Sequence, residues 1–109
     1  MTRVELLVSG DRRRLTAKGH ATGDAESCNY ITGVLYSLAG LAVNEAADGR
    51  TRLLQARMEP GDVAIETQGG ERMEAGFDMA LIGLLQLGQE RPEAVRVDVR
   101  EERDKPAGT

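Results

Sequence analysis

Residues 3–19 read RVELLVSGDRRRLTAKG, two runs of alternating apolar and polar residues joined by Gly10-Asp11. Alternation with a period of two is typical of a strand with one apolar face, because successive side chains of a strand point to opposite sides. A Gly-Asp pair between two such runs is typical of a tight turn. The stretch therefore predicts a β-hairpin. The residues on its apolar face are Val4, Leu6, Val8, Leu15 and Ala17.

The same alternation occurs three more times along the chain. Two runs flank the turn residues Pro60-Gly61-Asp62 and predict a second hairpin. Its apolar face is made of Leu54, Ala56, Met58, Val63, Ile65 and Thr67. A fifth run predicts a strand with an apolar face at Val95, Val97 and Val99. Charged residues follow this run, and the tail from about residue 101 or 102 is expected to be disordered.

Two helical segments, roughly residues 27–47 and 71–90, separate these strands. Their apolar stripes at helical spacing are Ile31, Leu35, Leu38 and Ala42 in the first, and Phe77, Leu81, Leu84 and Gly88 in the second. Pro92 ends the second helix. Because a sheet with one apolar face needs one covering layer, we predict a single α+β domain over residues 1–109. It is a two-layer sandwich in the order ββαββαβ, with both helices on one face of a mixed five-stranded sheet.

Glycines recur seven residues apart on both helices, at Gly33 and Gly40 and at Gly76 and Gly83. One interpretation is that they let two backbones approach closely. The other is that each glycine simply weakens its helix by about 1 kcal/mol. The sequence leaves both interpretations open.

The first helix is apolar nearly all round. Apolar residues outside its main stripe are Tyr30, Val34, Tyr36, Leu41 and Val43. One sheet face cannot cover every side of such a helix. Either a second copy of the chain covers the remainder, which predicts a homodimer, or the second helix does so.

Charge and residue usage exclude several classes of protein. The chain of 109 residues has 14 basic and 18 acidic side chains, a formal charge of -4, so no general attraction to nucleic-acid phosphate or anionic lipid is expected. The longest charge-free run is too polar for a membrane span of about 20 apolar residues, and the first residues do not resemble a secretion signal. We expect a cytoplasmic protein. One cysteine and one histidine do not make a zinc site, so no metal or other cofactor is expected.

The only histidine and the only cysteine, His20 and Cys28, flank the junction between the second strand and the first helix. A cysteine in the first turn of a helix lies beside unpaired N–H groups and the positive end of the helix dipole, which favour the thiolate. A nearby imidazole would strengthen this effect and then act as a general acid. The N–H groups of Cys28 and Asn29 could receive an oxyanion. These are the parts of a cysteine protease.

A structural interpretation of the same residues is also open. A lone cysteine on an apolar helix is most often a small buried hydrophobe. The carboxylates of Asp24 and Glu26 oppose a thiolate, although either could orient an imidazolium. Strict alternation also puts His20 on the solvent face of its strand. A Cys–His pair therefore requires the strand to end by about Gly19, with Gly19 and Gly23 as hinges of the loop.

The segment from Gly19 to Thr32 resembles the ribosomal-processing cysteine protease (Prp) family. The resemblance is carried by Gly19-His20-Ala21, a short glycine-containing loop, Cys28 opening an apolar helix, and a hydroxyl residue, Thr32, four positions on. Nearly the whole chain is similar to that family in size and in the order of its elements. The resemblance implies that His20 is the catalytic base and Cys28 the nucleophile, with Thr32 in the place of a serine usual in the family.

The activity that the resemblance implies is removal of a short N-terminal extension from a large-subunit ribosomal protein, or processing of a phage structural protein. Dimeric members of the family also favour a homodimer. The chain departs from the family pattern in its loop, which is several residues shorter than usual between His20 and Cys28. Ala25 stands where the family has an aspartate, and Asp24 could substitute for it.

These departures favour an alternative, a non-catalytic binding module of the same fold that associates with the ribosome or another protein. A third hypothesis is a single-cysteine redox sensor. It is the weakest of the three, because the chain has no second cysteine to resolve a sulfenic acid.

Overall fold

The computed structural model describes residues 1–102. In chain order its elements are β1 (Thr2–Ser9), β2 (Arg12–Lys18), α1 (Ala25–Ala47), β3 (Arg52–Glu59), β4 (Asp62–Gln68), α2 (Glu71–Glu90) and β5 (Val95–Glu102). This is the predicted order ββαββαβ, and every predicted element is present.

The five strands form one mixed sheet with the order β3-β4-β2-β1-β5. β1 pairs antiparallel with β2 and parallel with β5, and β4 pairs antiparallel with both β2 and β3. The chain passes from β2 through α1 to β3, and β4 returns to lie between β3 and β2, so β3 is an edge strand. The predicted α+β class with a mixed five-stranded sheet is confirmed.

One apolar core lies between the sheet and the two helices. Val4 and Leu6 of β1 belong to the same buried cluster as Leu35 of α1 and Phe77 of α2. Phe77 is fully buried. Because one cluster contains residues of the sheet and of both helices, the helices cover the same face, as the one-sided alternation predicts.

The alternation predicted for β3 is wrong at Leu54, and Ala56, which it also put on the apolar face, is exposed on this edge strand. The pairing of β3 with β4 shifts between Leu53 and Gln55, which is a β-bulge. The bulge inserts one extra residue, so Leu53 packs against the core and Leu54 is left 38% exposed. A period of two cannot indicate where such an insertion falls.

The last strand is longer than the sequence indicates. Glu101 and Glu102 are the final residues of β5 and pair with Val8 and Ser9 of β1, which corrects the expectation that the tail begins at about residue 101. The rest of the predicted disordered tail lies outside the described residues.

The glycines of the two helices differ in the space around their Cβ positions. A Cβ at Gly76 would collide with Leu41 Cδ2, and a Cβ at Gly83 would lie 3.2 Å from Tyr30 Oη. Tyr30 Oη also donates to the carbonyl oxygen of Gly83 at 3.2 Å. Gly33 and Gly40 have open space around their Cβ positions. Close approach therefore explains the α2 glycines and does not explain those of α1.

The outer surface of the two helices carries exposed apolar side chains. We call Tyr30, Tyr36, Val43, Met79, Ile82 and Leu85 the outer helix surface; Tyr36 is 63% and Met79 72% exposed. Val34 and Leu41 are partly buried against the core. The second helix thus covers part of the apolar surface of α1, and Tyr36 and Val43 stay uncovered. Within residues 1–102, neither helix combines the length and the hydropathy needed to cross a membrane.

Candidate active site

A sharp change of direction at the end of β2 places His20. The strand ends at Lys18, as a Cys–His pair requires. Gly19 has a φ of +91°, and a Cβ there would lie 2.5 Å from the carbonyl oxygen of Met1. Both its conformation and its surroundings therefore require glycine. The His20 carbonyl oxygen accepts from the amino nitrogen of Met1 at 2.6 Å, which anchors this turn to β1.

His20 and Cys28 line the same cleft. The cleft has a volume of about 300 Å³ and lies between α1 and the β3–β4 turn. Gly19 and Thr32 line it as well. Four of the seven candidate site residues thus come together around one space, and they include the only imidazole and the only thiol of the chain.

Cys28 lies deeper in its helix than the sequence predicted. α1 begins at Ala25, so Cys28 is its fourth residue. The Cys28 N–H donates to the carbonyl oxygen of Asp24 at 3.0 Å. This N–H is therefore not free for an oxyanion, which corrects the role proposed for it from the sequence. The Cys28 side chain is half-buried and packs against the core on the cleft side.

Asp24 caps α1. Its carboxylate accepts from the Ser27 backbone N–H at 3.0 Å and from the Ser27 hydroxyl at 2.5 Å, and Arg91 donates to it at 2.8 Å. These hydrogen bonds, chiefly those from Ser27, lower the pKa of Asp24 to about 2. The carboxylate is thus ionised at neutral pH. At the start of α1 it accepts its hydrogen bonds from Ser27 and Arg91, and none of them comes from His20.

Arg91 joins the end of α2 to the start of α1. Besides Asp24 it contacts Glu26, with 2.8 Å between Arg91 Nη2 and Glu26 Oε2. Sequence reasoning missed this residue, because 67 positions separate it from Asp24. The cap itself had a visible signal, since an Asp directly before a helical segment with an acidic residue in its first turn, here Glu26, is typical of a helix N-terminus.

Three candidate site residues do not line the cleft: Asp24, which caps α1, and Asn29 and Gly23. Asn29 lines a separate groove between α1 and α2, together with Tyr30, Val34 and Met79. Gly23 has a φ of +77° in the loop before α1, with nothing near its Cβ position. The helical rotation of 100° per residue explains why Asn29, one position after Cys28, faces a different groove.

The other walls of the cleft come from residues that the sequence did not single out as functional. The apolar ones are Ile31, Leu35, Tyr36, Met58 and Val63, and Glu59 and Asp62 bring two carboxylates. Asp62 pairs with Arg57, with 3.0 Å between Asp62 Oδ1 and Arg57 Nη2. No local pattern places the hairpin residues Met58, Glu59, Asp62 and Val63 at the cleft, because the β3–β4 hairpin reaches it only through tertiary packing. Within residues 1–102, no three His, Cys, Asp or Glu side chains are grouped so that they could hold a metal ion.

Comparisons with solved structures place the fold. The chain is similar to the ribosomal processing protease Prp from S. aureus in complex with a covalently linked product peptide, with a TM-score of 0.76 and 16% identity over 92% of this chain and 100% of that one. The same protease in complex with a substrate peptide gives a TM-score of 0.63 at 15% identity, over 92% of this chain and 100% of that one. SMU.848 from Streptococcus mutans gives a TM-score of 0.69 at 18% identity, over 94% of this chain and 99% of that one.

No protein-family model matches the chain, and no curated protein matches it. The likeness at 14–18% identity therefore concerns the fold. The chain has the fold of the ribosomal processing protease Prp, and the structural resemblance expected from the sequence is confirmed.

Proposed function

We propose, from a Prp fold in which His20 and Cys28 line one cleft, that the chain is a cysteine endopeptidase of the cytoplasm. Its substrate is the short N-terminal extension of a large-subunit ribosomal protein. The observation that carries the proposal is that the only thiol and the only imidazole line one cleft, whose walls are largely apolar. The solved S. aureus protease of this fold, with bound substrate and product peptides, supports a peptide as the ligand.

The reaction requires a nucleophile, Cys28, and a group that transfers protons, His20. The Cys28 thiolate attacks the scissile carbonyl carbon, and a tetrahedral oxyanion forms. The C–N bond breaks as the His20 imidazolium gives its proton to the leaving amine, which leaves a thioester on Cys28. His20 then takes a proton from water, whose oxygen attacks the thioester carbon. The C–S bond then breaks and the carboxylic acid leaves, so that Cys28 and His20 are again the thiolate and the imidazolium with which the reaction began.

Thr32 is the side chain we assign to oxyanion support. It follows Cys28 by four residues, one helical turn, and lines the same cleft. Its hydroxyl can donate a hydrogen bond to developing negative charge. This assignment replaces the Cys28 N–H, which is engaged inside α1.

An extended peptide fits the surroundings of the cleft. β3 is an edge strand, and its last residues, Met58 and Glu59, line the cleft. A peptide can therefore add to the β3 edge by main-chain hydrogen bonds and place a large apolar side chain against Ile31 and Leu35. The carboxylate of Glu59 suits a basic neighbour on the peptide.

The test is cleavage of the chain's own candidate substrate. The native chain and Cys28→Ala are each incubated with the extended ribosomal protein encoded by the same genome. Both are incubated separately with a phage structural protein. Mass spectrometry of the products should show loss of the extension at one peptide bond with the native chain only. Equal cleavage by both proteins would contradict the mechanism.

One observation favours the alternative of a non-catalytic binding module. The α1 N–H group nearest the nucleophile is satisfied within the helix, which removes one donor that a protease could use. Such a module would bind the extended substrate without cutting it. Calorimetric binding of the intact extension, with no cleavage product in the same sample, would favour this function over proteolysis.

We also propose that a second copy of the chain covers the outer helix surface, except at Tyr36, which lines the cleft. α1 has no charged residue from Ser27 to Asn44, and Met79 and Ile82 extend the exposed apolar surface onto α2. A stable interface buries roughly 800 Å² per partner.

Light scattering after size exclusion should therefore give about twice the mass of one chain for the native protein. Ile82→Glu should give the mass of one chain, because a charge would be buried in the interface. Arg100→Glu is the control, because Arg100 lies on the sheet face away from the helices, opposite Leu7 of β1. A native protein that elutes with the mass of one chain would rule out the dimer.

A further inference from the structure

The β3–β4 turn lies directly against the His20 ring. The turn consists of Pro60 and Gly61, between the end of β3 at Glu59 and the start of β4 at Asp62. The Gly61 carbonyl oxygen accepts from the Gly19 N–H at 3.0 Å. This hydrogen bond fastens the turn to the residue that precedes His20, although 41 positions separate His20 from Gly61.

The space between Gly61 and the imidazole is too small for any side chain. A Cβ at Gly61 would lie 2.5 Å from His20 Nε2, 3.0 Å from Cε1 and 3.2 Å from Cδ2. Real Cβ atoms do not approach other atoms to 2.5 Å, so any larger residue must move either the turn or the ring. The ring edge that contains Nε2 therefore packs on the backbone of Gly61.

Gly61 also has a φ of +70°. Pro-Gly is a preferred pair at the centre of a turn whose second residue needs a positive φ, so the turn alone could account for the glycine. The contact with His20 is a separate requirement, because it concerns the space beside the α-carbon and not the backbone conformation.

The contact has a consequence for the cleft. His20 is exposed and follows a glycine, so its side chain has few neighbours to restrict its rotamers. Packing against Gly61 restricts the orientations of the ring at the cleft that Cys28 also lines. A catalytic base works only within hydrogen-bond reach of its partner, and a displacement of about 1 Å can lower a rate on the order of 100-fold.

We infer that Gly61 is a positioning residue for His20, and that the β3–β4 turn holds the imidazole in the cleft beside Cys28. The inference rests on the proposed function in one respect, the use of His20 with Cys28. The packing itself is independent of that function. The experiments are therefore chosen to test the packing and its chemical consequence separately.

The packing is tested by a double-mutant cycle on thermal stability, with Gly61→Ala and His20→Ala. Gly49→Ala is the matched control, because Gly49 has a φ of +73° and open space at its Cβ position. Both alanines adopt a strained φ, but only the one at residue 61 meets the ring. We expect Gly61→Ala to lower Tm by only about 1–2 °C more than Gly49→Ala, because the exposed ring can turn aside at small cost, and we expect His20→Ala to remove that excess.

The chemical consequence is tested by alkylation of Cys28 with iodoacetamide at pH 6. His20→Ala should slow the reaction at least about tenfold, because Cys28 then lacks the base proposed to take its proton. Gly61→Ala should slow it to a similar extent, and Gly49→Ala should leave it at the native rate. The chain has one histidine, so NMR should show a single set of ring resonances, which should shift in Gly61→Ala and stay unchanged in Gly49→Ala.

The outcomes separate the inference from the proposed function. Equal Tm losses for Gly61→Ala and Gly49→Ala, unchanged by His20→Ala, would overturn the packing. The positioning role would be overturned if the Tm losses show coupling between residues 61 and 20, His20→Ala slows alkylation of Cys28, and Gly61→Ala is nevertheless alkylated at the native rate. Native alkylation in His20→Ala would instead contradict the proposed pair, and the ring resonances then decide whether Gly61 positions His20. If Gly61→Ala does not fold, the variant that also carries His20→Ala should fold, and its failure would overturn the inference.

Discussion

Replacing His20 or Cys28 by alanine is expected to lower kcat/KM for the peptide substrate by at least about 10³-fold. Each variant removes one of the two groups that move the proton in the proposed reaction. Without Cys28 there is no nucleophile to form the thioester, and without His20 the leaving amine has no proton donor. The two losses concern one chemical step, so their effects should not add.

The double variant is therefore expected to have the same residual kcat/KM as the more impaired single variant. The measurement is cleavage of the extended substrate under single-turnover conditions, with KM determined separately. Asn29→Ala is the control, because Asn29 follows Cys28 in sequence but lines the groove between α1 and α2. Full multiplication of the two single losses would show that His20 and Cys28 act independently, which the mechanism does not allow.

Phe77→Ala is expected to destabilise the fold by about 3–5 kcal/mol. Phe77 lies on α2, is fully buried, and belongs to the core between the helices and the sheet. Its removal takes away apolar contact area and leaves a cavity that the surrounding side chains fill only in part. The free energy of unfolding of such domains is only about 5–15 kcal/mol, so Phe77→Ala removes a large part of it.

Urea unfolding followed by circular dichroism measures this loss. Leu54→Ala is the control, since the bulge in β3 leaves Leu54 38% exposed although the alternation put it on the apolar face. We expect Leu54→Ala to change the free energy of unfolding by about 1 kcal/mol or less. A loss at Leu54 as large as that at Phe77 would mean that Leu54 faces the core.

The hairpins and helices follow from local patterns. In β1 and β2, side chains alternate between a covered and an uncovered face, and the alternation is readable because one helix layer covers only one face. The bulge between Leu53 and Gln55 interrupts this pattern in β3. No sequence pattern predicts the position of the extra residue, since that position depends on how β3 pairs with β4.

The candidate site was predictable in part. His20 and Cys28 are eight positions apart in sequence, and a glycine at the end of a strand signals a change in direction, so their meeting in one cleft was within reach of local reasoning. The start of α1 was placed two residues too late, because the cap at Asp24 was not recognised. That small error assigned to the Cys28 N–H a role that the helix hydrogen bond prevents.

The sequence by itself determined the strands, the helices, their order and the segment that contains the reactive groups, because side-chain periodicity and turn residues act over a few neighbouring positions. Only the tertiary structure decided what surrounds those groups. Arg91 reaches Asp24 from the end of α2, and Gly61 reaches His20 from the β3–β4 turn. Such contacts depend on the distances between packed elements, and no pattern along the chain specifies those distances.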